Sequence, residues 1–378
     1  MKAESRISWI SFFVFMGSTV SLVPAVIPFF ANAMSVDVFV LLNAVPLMFA
    51  GLFLGVLIAP LVGNRIEFRF LVRIAGILML LGIISATVIF SVESFFIGSL
   101  LIGFGFGVSE VTITAQVRKE IEKPATMMTK LNAGFALAAM AAPVFLVLEL
   151  ITIGSWWVFG IIGAGLVFSS ISVQQTSELK REVSSGSKKK APAALFLLMV
   201  GIYVGAESIL AGWSAVSFDQ VANLDSQFAP LASSAFWGLI AAGRLISIRI
   251  DRNSNASNSL VVWSSISAAS LILAVVLFGA GSELLLIGFA AAIFAAGPIY
   301  GQILAIALNT KTASEASRAT MMLIVSGAAG GFLLPALVQI RPSVEFALLL
   351  SGVAMAVVAI SSLLAKSITT PKGIKVVQ

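Results

Sequence analysis

The longest polar interruption in this chain is the stretch 174–192, QQTSELKREVSSGSKKKAP, which lies almost at the middle of the 378 residues. It carries five lysines and arginines, although only 11% of all residues are charged. Six long apolar runs precede it and six follow it. They cover approximately 8–30, 36–62, 69–91, 94–118, 125–149, 153–173, 193–215, 228–248, 259–279, 283–308, 316–340 and 343–365. A charged connection between two sets of six apolar runs predicts a two-lobed membrane protein.

The length of the apolar runs predicts helices that cross a bilayer. A hydrocarbon core about 30 Å thick needs roughly 20 apolar residues in a helix. A mean hydropathy of +1.07 is far above that of a water-soluble domain. Backbone groups in lipid must be paired internally, and continuous apolar runs favour helices over strands. The predicted fold is an all-α membrane protein with twelve transmembrane helices in two pseudo-symmetric six-helix bundles, 1–173 and 193–378. The stretch 174–192 is the predicted cytoplasmic linker, and the second bundle ends in a short cytoplasmic tail.

The placement of basic residues predicts the orientation. With the N-terminus in the cytoplasm, twelve spans leave 22 of the 23 lysines and arginines on the cytoplasmic side and only Arg341 outside. This bias follows the positive-inside rule. It predicts a multi-pass protein of the plasma or inner membrane with both termini cytoplasmic. The net charge of +6 then reflects topology and contact with anionic lipid, and not nucleic-acid binding.

The residue types that are missing exclude several kinds of chemistry. The chain has no cysteine and no histidine, which excludes disulfides and thiolate metal sites and removes the commonest metal ligand. No nucleotide-binding loop, metal-spaced cluster or catalytic triad occurs. We therefore expect no cofactor, no metal and no enzymatic activity.

Two pairs of short matches indicate an internal duplication. Gly55-Val56-Leu57-Ile58 matches Gly243-Arg244-Leu245-Ile246, and Ala125-Thr126-Met127-Met128 matches Ala319-Thr320-Met321-Met322. Both offsets are close to half the chain length, and the matches fall in equivalent predicted helices. A parallel six-helix repeat is typical of transporters whose binding site lies between the halves near the membrane midplane.

Two acidic residues lie deep within predicted spans. Glu110 falls in the fourth segment, and Glu207 lies near the centre of the seventh. A charge at a helix centre costs at least about 2.5–3.5 kcal/mol on insertion scales, so such residues usually face a cavity or a partner. Burial favours the protonated form of a carboxyl group, which suits loading and releasing a proton. The alternative is that each is permanently neutral or links two helices by a hydrogen bond.

Polar and aromatic residues at helical spacing suggest a lining for the same cavity. Tyr203, Glu207 and Ser214 share a face with Trp213 at its border, and Glu110 shares a face with Thr114. The residues that could complete a substrate-binding lining are Asn132, Trp237, Tyr300 and Gln302. Aromatic rings beside hydrogen-bonding groups suit a polyhydroxyl solute, although tryptophan and tyrosine also occur at membrane interfaces.

Charged residues at two equivalent cytoplasmic turns suggest a gate. Arg65 and Arg69 follow the second segment, and Arg244 and Asp251 end the eighth. One interpretation is a latch in which Asp251 and the arginines pair across helices in one state only. The alternative for Arg244 is a side chain that extends along the helix toward water.

Motifs spread over most of the chain resemble the major facilitator superfamily and, within it, the fucose–proton symporter family of sugar transporters. They are Tyr203 to Glu207, Phe236-Trp237 with Gly243-Arg244, the glycine-rich run into Glu110, Leu131-Asn132 before Pro143, Gly297-Pro298, and Gly330-Gly331 before Pro335. The resemblance implies a proton-coupling role for Glu110. Two features depart from that family. The first segment has no acid, only apolar and hydroxyl residues around Ser18, Ser21 and Pro24, and Glu67 stands where a glycine is usual.

The resulting hypothesis is a monomeric secondary transporter that imports a small neutral solute, such as a monosaccharide or polyol, together with protons. Glu110 would be the main proton carrier, and Glu207 would bind substrate or a second proton. One alternative is proton-coupled efflux of a drug or metabolite. Another is a transporter-like receptor or assembly partner that no longer transports. A third alternative is an enzyme embedded in the membrane.

Overall fold

The computed structural model describes residues 3–63, 65–121, 124–152, 157–173, 194–222, 225–251, 256–279, 284–308 and 313–369. Within these ranges the regular elements are all helical. The predicted linker 174–192 lies outside them.

The helices follow the predicted segments closely. The first half contains α1 Ala3–Ala25, α2 Ile27–Met34, α3 Val38–Leu41, α4 Ala44–Val62, α5 Phe68–Thr87, α6 Val92–Glu120, α7 Pro124–Thr152 and α8 Trp157–Ser172. The second half contains α9 Ala194–Ala222, the short 3₁₀ helix Ser226–Phe228, α10 Pro230–Ile250, α11 Ala256–Gly279, α12 Leu285–Ala296, α13 Ile299–Leu308, α14 Ala313–Val338 and α15 Val344–Thr369.

Within the described residues, helices occupy all twelve predicted segments. In the described part of the chain eleven segments are long and apolar enough to cross a bilayer, and α8 is a shorter apolar helix of 16 residues. Three segments consist of two consecutive helices: α1 with α2, α3 with α4, and α12 with α13. Successive segments alternate in direction. The starts of α1 and α9 and the ends of α8 and α15 therefore lie at the same end of the bundle, which we call the terminal end. We call the opposite end the far end.

The tenth segment is broken at Gly297 and Pro298, between α12 and α13. Proline has no backbone N–H and cannot continue the hydrogen-bond ladder of a helix. The sequence therefore places a local interruption in the middle of a span, where backbone carbonyl groups are free to accept hydrogen bonds from side chains.

Glycines bring helices of the first half into backbone contact. Gly55 of α4 lies against α6, and a Cβ atom at this position would overlap the carbonyl oxygen of Phe104. Reciprocally, a Cβ on Gly107 of α6 would overlap the carbonyl oxygen of Leu52 in α4. Small residues allow such close helix approach in lipid.

The second half repeats this pair of contacts. A Cβ on Gly243 of α10 would overlap the carbonyl oxygen of Phe294 in α12, and one on Gly297 would overlap the carbonyl oxygen of Ile240 in α10. The second and fourth spans of each half are thus joined in the same way. The repeated contact explains why a glycine occurs in both copies of the GxLI motif.

Contacts between the two halves are made differently. Gly212, Gly238 and Gly331 are the described glycines that lie against the other half, and a Cβ on each would meet only side-chain atoms there, those of Val45, Met140 and Phe49. Within each half, many glycines meet backbone atoms instead. Side chains can repack more easily than backbones, so the interface between the halves is the more adjustable surface.

Glu149 is a third acidic residue inside the bundle, in addition to Glu110 and Glu207. It lies near the far end of α7 and is 0% exposed. Its Oε1 accepts a 3.2 Å hydrogen bond from the backbone N–H of Val158 in the first turn of α8, and its Oε2 has no partner. The N–H groups at a helix start lack intrahelical partners and favour negative charge. Glu149 therefore caps the described start of α8.

Candidate functional site

The centre of the second half holds an ion pair between Glu207 of α9 and Arg244 of α10. An Nη2 atom of Arg244 lies 3.7 Å from Oε1 of Glu207, and the side chains are 41% and 19% exposed, respectively. A charge inside a membrane protein is stabilised by a partner of opposite sign. The guanidinium of Arg244, predicted as part of a cytoplasmic latch with Asp251, lies instead beside Glu207.

Two side chains donate hydrogen bonds to backbone carbonyl oxygens at the interruption between α12 and α13. The Nε of Arg244 donates a 3.0 Å hydrogen bond to the carbonyl oxygen of Gly297. The hydroxyl of Tyr203 donates a 2.9 Å hydrogen bond to the carbonyl oxygen of Ala296. The interrupted helix thus provides backbone acceptors that fix the orientation of both side chains beside Glu207.

Tyr300 connects this pair to the first half of the chain. It lies in the first turn of α13, and its ring stacks on that of Tyr203 with centroids 6.2 Å apart and planes inclined by 29°. Tyr300 lies within electrostatic range of Glu207 and Arg244 and also of Glu110 in α6. We call Glu110, Tyr203, Glu207, Arg244 and Tyr300 the central cluster. It brings together one acid from each half.

Two further predicted residues lie on the side of the first half. Thr114 is one helical turn from Glu110 on the same face of α6. It is buried, and its hydroxyl oxygen has no hydrogen-bond partner. Asn132 is exposed on α7. The Asn132 amide is thus accessible in this structure, whereas the Thr114 oxygen is enclosed.

Trp237 belongs to a row of aromatic rings that crosses between the halves. Its ring contacts Phe135 of α7 edge-to-face at 5.6 Å, and Phe135 stacks on Phe106 of α6 at 5.7 Å. Phe106 precedes Glu110 by one turn, so this aromatic row lies on the far-end side of the central cluster. Phe106 and Phe135 were not predicted as site residues, although the four-residue spacing from Phe106 to Glu110 is visible in the sequence.

Trp213, predicted to line the site, is packed elsewhere. It is 2% exposed, and its ring lies 5.8 Å from that of Phe39 in α3. It therefore forms part of the apolar contact between the halves toward the far end. A nearly fully buried indole offers little surface to a solute.

Gln302 and Asp251 form a second polar group, at the terminal end. The Asp251 carboxylate oxygen Oδ2 accepts hydrogen bonds from Trp263 Nε1 at 2.9 Å, from Gln302 Nε2 at 3.2 Å, and from the hydroxyl of Ser259. We call these four residues the terminal-end cluster. Gln302 was predicted to bind substrate and Asp251 to pair with arginines. In the structure they bind each other, and within the described residues Asp251 has no arginine partner.

Arg65 and Arg69, the other predicted gate residues, are exposed at the turn between α4 and α5. Arg69 Nε lies 2.7 Å from Glu67 Oε2, with both side chains about half exposed. Exposed ion pairs of this kind contribute little to stability. Glu67, which stands where the resembled family has a glycine, thus holds Arg69 at the surface.

Comparisons with known proteins agree on the fold. No protein-family model matches the chain. A glucose/mannose transporter of Bacillus subtilis is 24% identical over 267 residues, which is 65% of this chain and 64% of that protein, so the match spans less than two thirds of the relative.

Solved structures match almost the whole chain. A D-xylose–proton symporter has a TM-score of 0.74 at 11% identity and covers 96% of this chain and 95% of its own. The fucose:proton symporter of E. coli has a TM-score of 0.65 at 16% identity and covers 95% of this chain and 98% of its own. A POT family transporter in complex with 5-aminolevulinic acid has a TM-score of 0.75 at 12% identity, with 97% of both chains covered.

Proposed function

We propose that this chain, which has the twelve-helix fold of major facilitator superfamily transporters, is a secondary transporter that imports a small neutral solute with protons. The solute class that fits best is a monosaccharide or polyol. The observation that carries the proposal is the central cluster, in which the acid Glu110 of one half and the pair Glu207–Arg244 of the other approach Tyr300. The names of the glucose/mannose transporter and of the xylose and fucose symporters support the solute class.

The chemistry of the site suits a solute that carries several hydroxyl groups. Carboxylate oxygens of Glu207 and Glu110 accept hydrogen bonds, while the guanidinium of Arg244 donates them. The unpartnered hydroxyl of Thr114 and the exposed amide of Asn132 can do both. Trp237 offers an aromatic surface for the apolar face of a sugar ring.

The coupling follows from the cost of burying charge. An ionised Glu110 would have to be enclosed between the halves when the site closes, which is unfavourable in a low-dielectric environment. A proton on Glu110 removes that charge, and a bound solute satisfies the polar groups around it. Since both ligands then favour the same closure, their binding is reciprocally coupled.

The movement itself uses the difference between the two kinds of helix contact. Backbone contacts through Gly55 and Gly243 hold each half together, while Phe135, Trp237 and Phe49 meet the other half through side chains. Each half can therefore tilt as a unit while the interface repacks. This arrangement supports alternating access.

The proposed orientation places the terminal end in the cytoplasm of a plasma or inner membrane, because 22 of the 23 basic residues then lie on the cytoplasmic side. The site needs no second chain, since all five residues of the central cluster come from one chain. We therefore propose a monomer.

Uptake by proteoliposomes with an imposed inward pH gradient tests the function. We expect accumulation of radiolabelled D-glucose, D-mannose or D-xylose, inhibition by other sugars, and no inhibition by lipophilic cations. Glu110→Gln should abolish sugar-driven proton uptake, and Glu93→Gln, an exposed acid at the far end of the same helix, should leave it unchanged. Unchanged proton uptake in Glu110→Gln, or competition by lipophilic cations alone, would contradict the proposal.

A further inference from the structure

We infer that Arg244 is the fixed counter-ion of Glu207 and that Glu207 therefore does not carry a coupled proton, which leaves Glu110 as the protonatable carboxyl group of the central cluster. The inference deepens the proposed function and rests on it. It assigns different roles to Glu110 and Glu207, each of which the sequence suggested as a site for a coupled proton.

The first support is that Arg244 is held at both ends of its side chain. Its Nη2 lies 3.7 Å from Glu207, and its Nε donates to Gly297 at 3.0 Å. At its base, a Cβ built on Gly297 would lie 3.1 Å from the backbone nitrogen of Arg244, so α10 and the helix break are in direct contact. The neighbouring Gly243 makes the same kind of contact with Phe294.

The second support is that every one of these contacts lies within the second half of the chain. Glu207, Arg244 and the carbonyl of Gly297 move together if the halves move as units. The ion pair is then preserved when the site opens to either side. By contrast, Glu110 belongs to the other half, so its distance to Arg244 changes with the state.

The third support is the charge balance of the cluster. Glu207 and Arg244 cancel, and Glu110 has no ion pair among the side chains that the structure describes. Besides these three, the ionisable groups that face the cluster are the neutral phenols Tyr203 of α9 and Tyr300 of α13; Asp251 lies in the terminal-end cluster and Lys130 of α7 is exposed.

One proton on Glu110 therefore makes the enclosed site neutral. A second proton on Glu207 would leave the guanidinium of Arg244 without its counter-ion inside a membrane span, where an unpaired charge is unfavourable. In this scheme Arg244 is a positioning residue. It favours the ionised form of Glu207, whose carboxylate then acts as a hydrogen-bond acceptor throughout the cycle.

Proton uptake on solute binding tests the assignment. Isothermal titration of the purified protein with D-glucose, in buffers of different ionisation enthalpy, gives the number of protons taken up per bound sugar. We expect about one for the unmodified chain and none for Glu110→Gln, which should still bind sugar. At equilibrium, one proton per solute corresponds to about tenfold accumulation per pH unit. Two protons per sugar, or continued uptake in Glu110→Gln, would overturn the inference.

A second measurement works without a bound solute. Infrared difference spectra on acidification report the C=O stretch of a newly protonated buried carboxyl group. In a Glu149→Gln background, where the other fully buried carboxyl group cannot contribute, we expect this band to be absent after Glu110→Gln. We expect it to be present after Glu207→Gln/Arg244→Gln, a double change that removes the ion pair and preserves the charge balance. A band that persists in Glu110→Gln and disappears in the double variant would assign the proton to Glu207. If no sugar binds or is transported while the band follows Glu110, the proposed solute is wrong and the charge assignment stands.

Discussion

Gly55 of α4 and Gly243 of α10 occupy equivalent positions in the two halves, and each lies directly against a backbone carbonyl of the span two segments further on, at Phe104 and Phe294. The reciprocal contacts are made by Gly107 of the first half and Gly297 of the second, which also occupy equivalent positions. The acid Glu110 follows Gly107 by three residues, and Tyr300 follows Gly297 by three. The same scaffold therefore presents an acidic side chain in one half and a tyrosine ring in the other.

Alanine at Gly55 or Gly243 should destabilise the protein because the added methyl group would overlap a backbone oxygen. Overpacking of this kind typically costs about 1–3 kcal/mol. Thermal unfolding in detergent should show a lower midpoint for both variants. Gly160→Ala in α8 is the matched control, because no atom lies within 4 Å of the added Cβ; it should unfold no earlier than the unmodified protein. Equal midpoints for all three variants would contradict the backbone contact.

A cross-link at the far end should block transport. Asn32 Nδ2 of α2 lies 3.3 Å from Ser226 Oγ of the 3₁₀ helix, and these residues belong to opposite halves. The chain contains no cysteine, so a double variant Asn32→Cys/Ser226→Cys can be joined by a short thiol cross-linker without background. We expect uptake to fall to the level of empty liposomes and to return after reductive cleavage of the linker.

Each single-cysteine variant treated with the same reagent controls for simple modification. Full transport by the cross-linked double variant would show that the far end need not open during the cycle.

Replacing Asp251 should destabilise the terminal end and leave solute affinity unchanged. Asp251→Ala removes the acceptor of Trp263, Gln302 and Ser259. Hydrogen bonds to a charged group are worth about 1.5–3 kcal/mol. We therefore expect the free energy of unfolding, measured by thermal denaturation, to fall by a few kcal/mol. The exposed neighbour Arg249 provides the control, since surface substitutions usually change stability by less than about 0.5 kcal/mol. A large change in sugar Kd with little change in stability would place Asp251 in the binding machinery instead.

Glu149 should contribute to stability through the start of α8. In Glu149→Ala the N–H of Val158 loses its acceptor, and loss of a helix cap costs about 0.5–2 kcal/mol. Glu149→Gln keeps a carbonyl oxygen at the same place and should recover most of that loss. Proteolysis or hydrogen exchange at 157–165 measures the effect locally. Identical protection in the alanine variant would rule out the cap.

The sequence predicts the fold well because the signals for it are local. Apolar runs of bilayer length, the charge bias and the repeated GxLI motif each depend on residues close together in the chain. They give twelve spans whose ends agree with the helices to within several residues. Glu149, at the end of the predicted segment 125–149, was not recognised as buried.

The site is predicted in part. Glu110 and Glu207 were selected because acids are rare in apolar segments, and the structure places both near Tyr300. Which residue pairs with which depends on helix crossings that spacing along one helix does not encode. The sequence left Arg244 between a latch that forms in one state only and a side chain extending toward water, and in this structure its guanidinium lies beside Glu207. Gln302, predicted for the lining, bonds to Asp251 here. Trp213 was placed at the border of the polar face, and in this structure its ring lies against that of Phe39 from another helix.

The division between backbone contacts inside each half and side-chain contacts across the halves bears on how such a protein can change over generations. Mutations at Phe135, Met140 or Phe49 alter side chains at the interface between the halves, so we expect them to change the speed of turnover gradually. Mutations at the buried glycines disturb the parts that must stay intact. We therefore expect natural variation in kinetics to accumulate at the interface between the halves. The backbone contacts within each half should be retained.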